Sequence, residues 1–326
     1  NIFEGIDTTW NRVKGGQAIG QILKQVEQNF DFTDPSASIP LLIEAYQLIQ
    51  DLEDAHWRTL KSKEIKDIIA ACTGLYLEAV APTNRVTNME QIELNIEVIN
   101  RSKASVMLES IETPYDRSIE KNVLLKQNLR QNFQEDMLID KMTKPTTPYW
   151  LRKQGTLGMY QVEDSKMIGL PETPYLLTVK YNLNIDGTPI SYEKPIVFKM
   201  NDPVKGEVYK PFEIIPAASV RIEEKVIIFE DDQQKKISVI VKAGRDGVNG
   251  ELRLDHPENW TVYPQTQSFS IERKDQEKTL VFTVIPPKNQ SEGMLVPKVL
   301  VKDQVYTKEL IEVDYEHIPF QSILLP

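Results

Sequence analysis

Three histidines, His56, His256 and His317, and one cysteine, Cys72, are scattered along 326 residues. A zinc site draws on closely spaced His, Cys or carboxylate ligands held by further hydrogen-bond partners. No HxxxH, HExxH or CxxC spacing occurs, so the residues offer no transition-metal site. His256-Pro257-Glu258-Asn259 has the outline of a metal-binding His-Pro-Asp-Asp loop, but both aspartates are missing and the peptide reads as a β-turn. His56 reads as an exposed helical position, and His317 as the exit from the last strand. Glu230-Asp231-Asp232 holds oxygens that suit calcium, yet such a run between two strands is expected to be a solvated turn. No GxSxG, P-loop or GxGxxG is present to supply a nucleophile elbow or a phosphate cradle.

Two groups remain. The carboxylates Glu135, Asp136, Asp140, Glu163 and Asp164 fall in residues 126–175, where patterning is weakest. Paired carboxylates do acid–base chemistry only when their environments push their pKa values apart. Tyr149-Trp150-Leu151-Arg152 follows a Thr-Pro-rich connection without clean alternation. Tyr149, Trp150 and Arg152 are the candidate ligand-binding residues, suited to a sugar face or a protein partner.

The elements that must position these residues change character along the chain. Trp10, Val13, Ile19, Ile22, Leu23, Val26 and Phe30 recur at helical steps, with Thr8 or Thr9 as the cap and Gly15-Gly16 as a kink or a close packing point. A second stripe runs from Ile39 to Leu52, starting at Ser38 with Pro40 in the first turn; a third runs from Ile65 to Ala79. Beyond Pro82 the period falls to two. Ile92, Leu94, Ile96 and Val98 alternate with polar residues, and Asp186-Gly187 marks a hairpin. Residues 126–148 read as irregular connection. From Ala217, strands are expected at Val220–Ile222, Val226–Phe229, Ile237–Val241, Leu252–Leu254, Trp260–Ile271, Leu280–Val284 and Val299–Val313. About seven short strands in about 100 residues predict a sandwich, with Trp260 in its core. The fold class is therefore α+β and multidomain: an N-terminal helical bundle, then two mostly antiparallel β-sandwich domains of immunoglobulin-like type. The expected divisions are residues 1–81, 82–216, 217–316 and a closing linker at 317–326.

Net charge is −10, which argues against binding nucleic acid through its phosphates. One cysteine allows no intrachain disulfide, and no apolar run reaches the length of a membrane span. The first residues, Asn1 to Gly5, carry neither an initiator Met nor a signal peptide, and the chain reads as a fragment.

Five segments share a longer pattern: TTWNRVKGGQAIG (8–20), QDLEDAHWRTLKSKEIKDIIAACTGLYLEAVA (50–81), PYWLRKQGTLGMYQVED (148–164), KPIVFKMNDPVKGEVYKPFEIIPAASV (194–220) and DYEHIPFQSILLP (314–326). They resemble the long bacterial deacetylases of the PIG-L/LmbE type, especially the Bacteroidetes forms, over nearly the whole chain. PENWTVYP (257–264) with its closing strand is similar to immunoglobulin-like modules associated with alpha-galactosidases. The resemblance implies that zinc chemistry belongs to an upstream domain with a His-Pro-Asp-Asp loop. None of those positions exists here, so no catalytic residue, metal ligand or cofactor carries over. Residues 1–7 would be the tail of that domain and the rest an accessory region of a periplasmic or secreted protein acting on N-acetylated sugars. The expected partners are the chain's own deacetylase domain and glycan. Two alternatives stand beside this: a cell-surface protein-binding module, and an enzyme using a carboxylate site in residues 126–175.

Overall fold

The computed structural model describes residues 2–325; Asn1 and Pro326, which close the two expected end segments, lie outside them. Among the described residues, three α-helices are followed by strands gathered in several sheets, a mixed α+β architecture that is sheet-rich towards its C-terminal part. Among the described residues no helix is long and apolar enough to cross a membrane. The chain divides into two compact units. Asn1–Val80, Glu93–Met137 and Leu177–Ile196 make the first; Ala81–Ile92, Leu138–Leu176 and Val197–Pro326 make the second.

The helices of the first unit are α1 (Gly16–Gln28), α2 (Ile39–Gln50) and α3 (Ala55–Cys72). The expected single helix from Trp10 is instead a 3-10 turn, Trp10–Arg12, and then α1. Gly15 takes φ +85°, and a Cβ on Gly16 would stand 2.3 Å from the Trp10 carbonyl oxygen. The two glycines thus separate turn from helix rather than kinking one helix, because only glycine tolerates both demands. Thr9 caps the turn, its hydroxyl accepting from Asn11 N at 3.3 Å. Pro40 lies in the first turn of α2, as expected, though the Ser38 side chain makes no capping hydrogen bond. Asp54 caps α3, accepting from His56 N at 2.9 Å and Trp57 N at 3.1 Å. The third stripe was expected to remain helical to Ala79. It stops at Cys72, where Gly74 at φ +55° turns the chain into the first strand.

Strands β1 (Tyr76–Ala81), β2 (Arg85–Val86), β3 (Gln91–Ile99), β4 (Val106–Thr113), β5 (Arg117–Leu124) and β6 (Gln131–Leu138) follow. After a long loop come β7 (Thr178–Ile185) and β8 (Thr188–Asp202). Hydrogen-bonded neighbours run in the order β5-β4-β7-β8-β1-β3-β6. Ile92, Leu94, Ile96 and Val98 are buried along β3 as their alternation requires. Asp186 (φ +46°) and Gly187 (φ +85°) form the tight β7–β8 hairpin. Residues 131–138 correct the expectation of irregular chain. Few are β-branched, but β6 is an edge strand, and pairing with β3 outweighs its weak propensity.

The second unit takes up β8 at Val197, which pairs with β9 (Gly206–Pro211) across a turn held by Asp202, whose carboxylate accepts from Val204 N and Lys205 N at 2.8 Å. β10 (Glu213–Ile214) lies parallel to β2. Then come β11 (Ala218–Ile222), β12 (Lys235–Ala243), β13 (Val248–Asp255), β14 (Thr261–Tyr263), β15 (Thr266–Ile271), β16 (Glu277–Ile285), β17 (Val296–Val301) and β18 (Gln304–Tyr306). They form two four-stranded sheets, β11-β12-β16-β14 and β15-β13-β17-β18, sharing one apolar core in a β-sandwich-like arrangement. Val220, Val239, Val241 and Phe282 come from one sheet; Leu252, Leu254, Phe269 and Val299 from the other.

Three expectations change here. Val226–Phe229 is not a strand, and Val226 is 79% exposed. Ile227 and Phe229 pack against the sandwich core while Val226 and Ile228 face out, but the run, flanked by Glu223-Glu224-Lys225 and Glu230-Asp231-Asp232, pairs with neither sheet. Trp260–Ile271 is not one strand but β14 in one sheet and β15 in the other. Leu310 and Val313 leave the sandwich for β19 (Glu309–Val313), which pairs with β20 (Gln321–Leu325), inside the stretch expected to be linker. Trp260 itself is half-buried at the sandwich edge, its ring 5.2 Å from Phe229 and its Nε1 donating to Ser291 Oγ at 2.8 Å.

Candidate functional site

Chain segments that lack regular structure must place their polar groups by local hydrogen bonds. In the 139–176 loop of the second unit, Thr146 does this twice: its N donates to Ile214 O at 2.7 Å and its Oγ1 accepts from Ile214 N at 2.9 Å. Tyr149 closes the loop on itself. Its N donates to Thr173 Oγ1 at 2.9 Å and its hydroxyl to Leu170 O at 3.1 Å, which buries the ring to 7% exposure. Trp150 sits edge-on to Tyr149, ring centres 4.8 Å apart, and stays half-buried on the outer side.

Trp150 lines a cleft of about 100 Å³ together with Tyr175, Phe212 and Phe320. Pro148, Pro174, Pro211 and Pro319 fill the spaces between them. Three Pro–aromatic pairs line the cleft, Pro174-Tyr175, Pro211-Phe212 and Pro319-Phe320; of a fourth, Pro148-Tyr149, the proline lines it and the ring is buried. The fifth pair in the chain, Pro114-Tyr115, lies in the other unit. Proline fixes the backbone and brings no N–H to satisfy, so the Tyr175 and Phe320 rings stand on stiff mounts. Lys210 Nζ stands 4.7 Å from the Phe320 ring centre and 2.8 Å from Asp314.

One carboxylate reaches this cleft from beneath. Glu213 is 4% exposed and accepts from Ser322 N at 3.1 Å and from the Ser322 hydroxyl. Burial raises its pKa above the usual glutamate range, against the opposing pull of the two Ser322 hydrogen bonds and Arg85. The arrangement suits binding: flat apolar faces in rigid mounts, with a few polar groups to orient a ligand.

The three predicted residues therefore have different places. Trp150 lines the cleft, Tyr149 is its buried support, and Arg152 is exposed and outside the lining. Reasoning from the sequence missed Tyr175, Phe212, Glu213 and Phe320. The repeated Pro–aromatic pairs were the available signal.

The carboxylates of residues 126–175 have separate local duties. Glu135 binds Lys121 at 2.6 Å, Glu163 binds Lys153 at 3.1 Å, and Asp164 accepts from Lys166 N at 2.9 Å at the start of a 3-10 turn. Asp140 accepts from Met142 N at 2.6 Å, and Asp136 is exposed on β6. His56, His256 and His317 are all exposed, as is Glu230-Asp231-Asp232. Among the described residues no group of three or more His, Cys, Asp or Glu could hold a metal ion.

No family model matches the chain. No curated protein matches it either. Solved structures that it resembles include red sea bream transglutaminase, at 11% identity and TM-score 0.28, covering 76% of this chain and 33% of that one. E. coli alpha-2-macroglobulin matches at 9% identity and TM-score 0.23, covering 77% of this chain and 17% of the other. A protein of unknown function from Porphyromonas gingivalis matches at 9% identity and TM-score 0.17, covering 77% and 97%. Likeness this weak bears on neither fold family nor activity.

Proposed function

We propose that this chain is a non-catalytic accessory region of a carbohydrate N-deacetylase of the PIG-L/LmbE type, and that it contacts glycan through the Trp150 cleft. The observation that carries the reading is the convergence of Trp150, Tyr175 and Phe320 with four prolines on one cleft above the buried Glu213. Rigid aromatic faces accept the apolar side of a sugar ring, and neighbouring polar groups fix its orientation. The β-sandwich of residues 218–306 is read as immunoglobulin-like, in keeping with the PENWTVYP resemblance. Zinc and hydrolysis belong to a separate deacetylase domain, and the setting is the periplasm or the cell exterior.

Titration calorimetry of the chain with N-acetylglucosamine oligomers tests this. Saturable binding is expected, with a loss of about tenfold or more for Trp150→Ala, the scale of one lost aromatic contact of about 1.4 kcal/mol. Absence of binding, or binding indifferent to Trp150→Ala, contradicts the glycan contact. Metal-dependent release of acetate by the isolated chain contradicts the non-catalytic assignment.

A second reading, a protein-binding module at the cell surface, is favoured by one feature. Leu157, Met159, Tyr160 and Ile168 are all exposed on the same loop that carries Trp150. Capture of an extracellular protein partner that is lost when these four become serine, with no glycan binding, supports it over the first.

A further inference from the structure

A second cleft of the same unit, of about 410 Å³, opens between residues 141–145, the Ile215–Ala217 turn and the β17–β18 hairpin. Three cations line it: Lys141, Arg245 and Lys302. None of them has an ion-pair partner among the described residues. Elsewhere in the unit Lys210, Arg221, Lys242 and Lys298 each have a carboxylate. Asp303 is the one acid on the lining, which leaves an excess of two positive charges in a chain whose net charge is −10.

Local structure holds these groups in place. Lys302 lies in the hairpin turn that joins Val301 to Gln304, at φ +52°. Asn88 ties the opposite wall, its Nδ2 donating to the carbonyls of Lys141 and Thr143 at 2.8 Å each. Tyr306 brings a phenol close to the Arg245 guanidinium, and the phenol donates to Gln304 Oε1. Unpaired cations around a concave surface focus positive potential, and a guanidinium fork matches the geometry of a carboxylate or phosphate.

We propose that this cleft binds a small organic ligand bearing an oxyanion, a carboxylate or a phosphate ester. Arg245 and Lys302 engage the charged group while Met89 lies against its body. The volume is in the range of small-molecule sites, about 300–1,000 Å³. Nucleic acid is the disfavoured occupant, because the rest of the chain is acidic and Tyr306 is the one aromatic ring on the lining. The site is independent of the Trp150 cleft.

Calorimetry with glucuronate, glucose 6-phosphate, inorganic phosphate and glucose, at low and at high salt, tests the proposal. Saturable binding of at least one anionic sugar is expected, weakening as salt rises. Selectivity for glucuronate identifies a carboxylate source; selectivity for glucose 6-phosphate over inorganic phosphate identifies a phosphorylated one. Arg245→Gln/Lys302→Gln is expected to weaken binding about tenfold or more, the effect of losing about 1.4 kcal/mol. Both side chains are solvent-accessible, and an unchanged melting temperature verifies that the variant folds. Trp150→Ala should leave this binding unchanged, so failure here is separable from failure of the glycan contact. No binding of either anionic sugar, equal binding of glucose, or indifference to the double substitution overturns the proposal.

Discussion

Lys121 on β5 and Glu135 on β6 lie 2.6 Å apart, although their strands stand at opposite ends of the hydrogen-bonded order in the first unit. Arg117 at the start of β5 joins them, donating to the Asp136 carbonyl and lying 3.9 Å from Glu135. The sheet therefore curls until its two edge strands meet side chain to side chain. Such a contact blunts edges that would otherwise offer unpaired backbone to another chain. Lys121 and Glu135 are 14% and 10% exposed, so removing either leaves a charge in poor solvent. Lys121→Met is expected to cost about 2–4 kcal/mol, since breaking one side of a buried pair costs more than replacing both. Urea unfolding should show Lys121→Met/Glu135→Leu recovering much of that loss.

Arg85 plays a comparable part in the second unit. Its Nη2 is 3.2 Å from both carboxylate oxygens of Asp275, and its Nη1 donates to Glu312, which also binds Lys242 at 2.7 Å. The cluster joins the short β2 segment to the sandwich and to β19. Arg85→Met is expected to destabilise the chain by about 1–3 kcal/mol, discounted because Asp275 is partly exposed. Burial alone would raise the Glu312 pKa, but Lys242 and Arg85 outweigh it and hold the group below its usual range. The stabilisation is thus present above the unfolded-state pKa and is lost as pH falls through the folded one. Denaturant midpoints should show the Arg85→Met penalty shrinking under acid conditions.

Glu213 has the opposite sign. Burial raises its pKa, so on titrating upward the unfolded chain loses this proton first and folding becomes less favourable. Glu213→Gln removes that penalty while keeping a side-chain oxygen for Ser322. The melting temperature of Glu213→Gln relative to the parent chain should rise as pH increases above the ordinary glutamate pKa. A difference that is flat, or that falls with pH, would remove the claim that this carboxylate is buried at a cost.

Tyr181 on β7 is fully buried, and its hydroxyl has no hydrogen-bond partner among the described residues. An unsatisfied buried hydroxyl costs free energy, about 1–3 kcal/mol, rather than supplying it. Tyr181→Phe should therefore melt at the same temperature as the parent or higher. A marked loss of stability would mean that the hydroxyl is satisfied.

Period-two alternation made β3, β12, β13 and β16 readable, because each buries one face and the residues say which. Where edges or charges decide, the signal failed. β6 is held by pairing and by Lys121 rather than by β-branched residues, and β20 is held by pairing with β19 and by the Ser322 hydrogen bonds to Glu213. Gly250 shows the same limit: within β13 its missing Cβ would stand 2.3 Å from the Leu300 carbonyl, a demand that arises only in the packed sandwich. At the cleft, Trp150 was legible as an aromatic without a place in a stripe. Phe212 and Phe320 come from segments far apart in sequence, so no local window could have joined them to it.

A sugar seated against Trp150 changes the surroundings of its indole N–H. The four indole N–H resonances can be followed in an NMR titration with N-acetylglucosamine oligomers, the Trp150 signal being assigned by Trp150→Phe. Binding at the cleft is expected to shift the Trp150 resonance saturably while the Trp260 indole, bound to Ser291, stays in place. A Trp150 resonance that does not move at saturating sugar would contradict it.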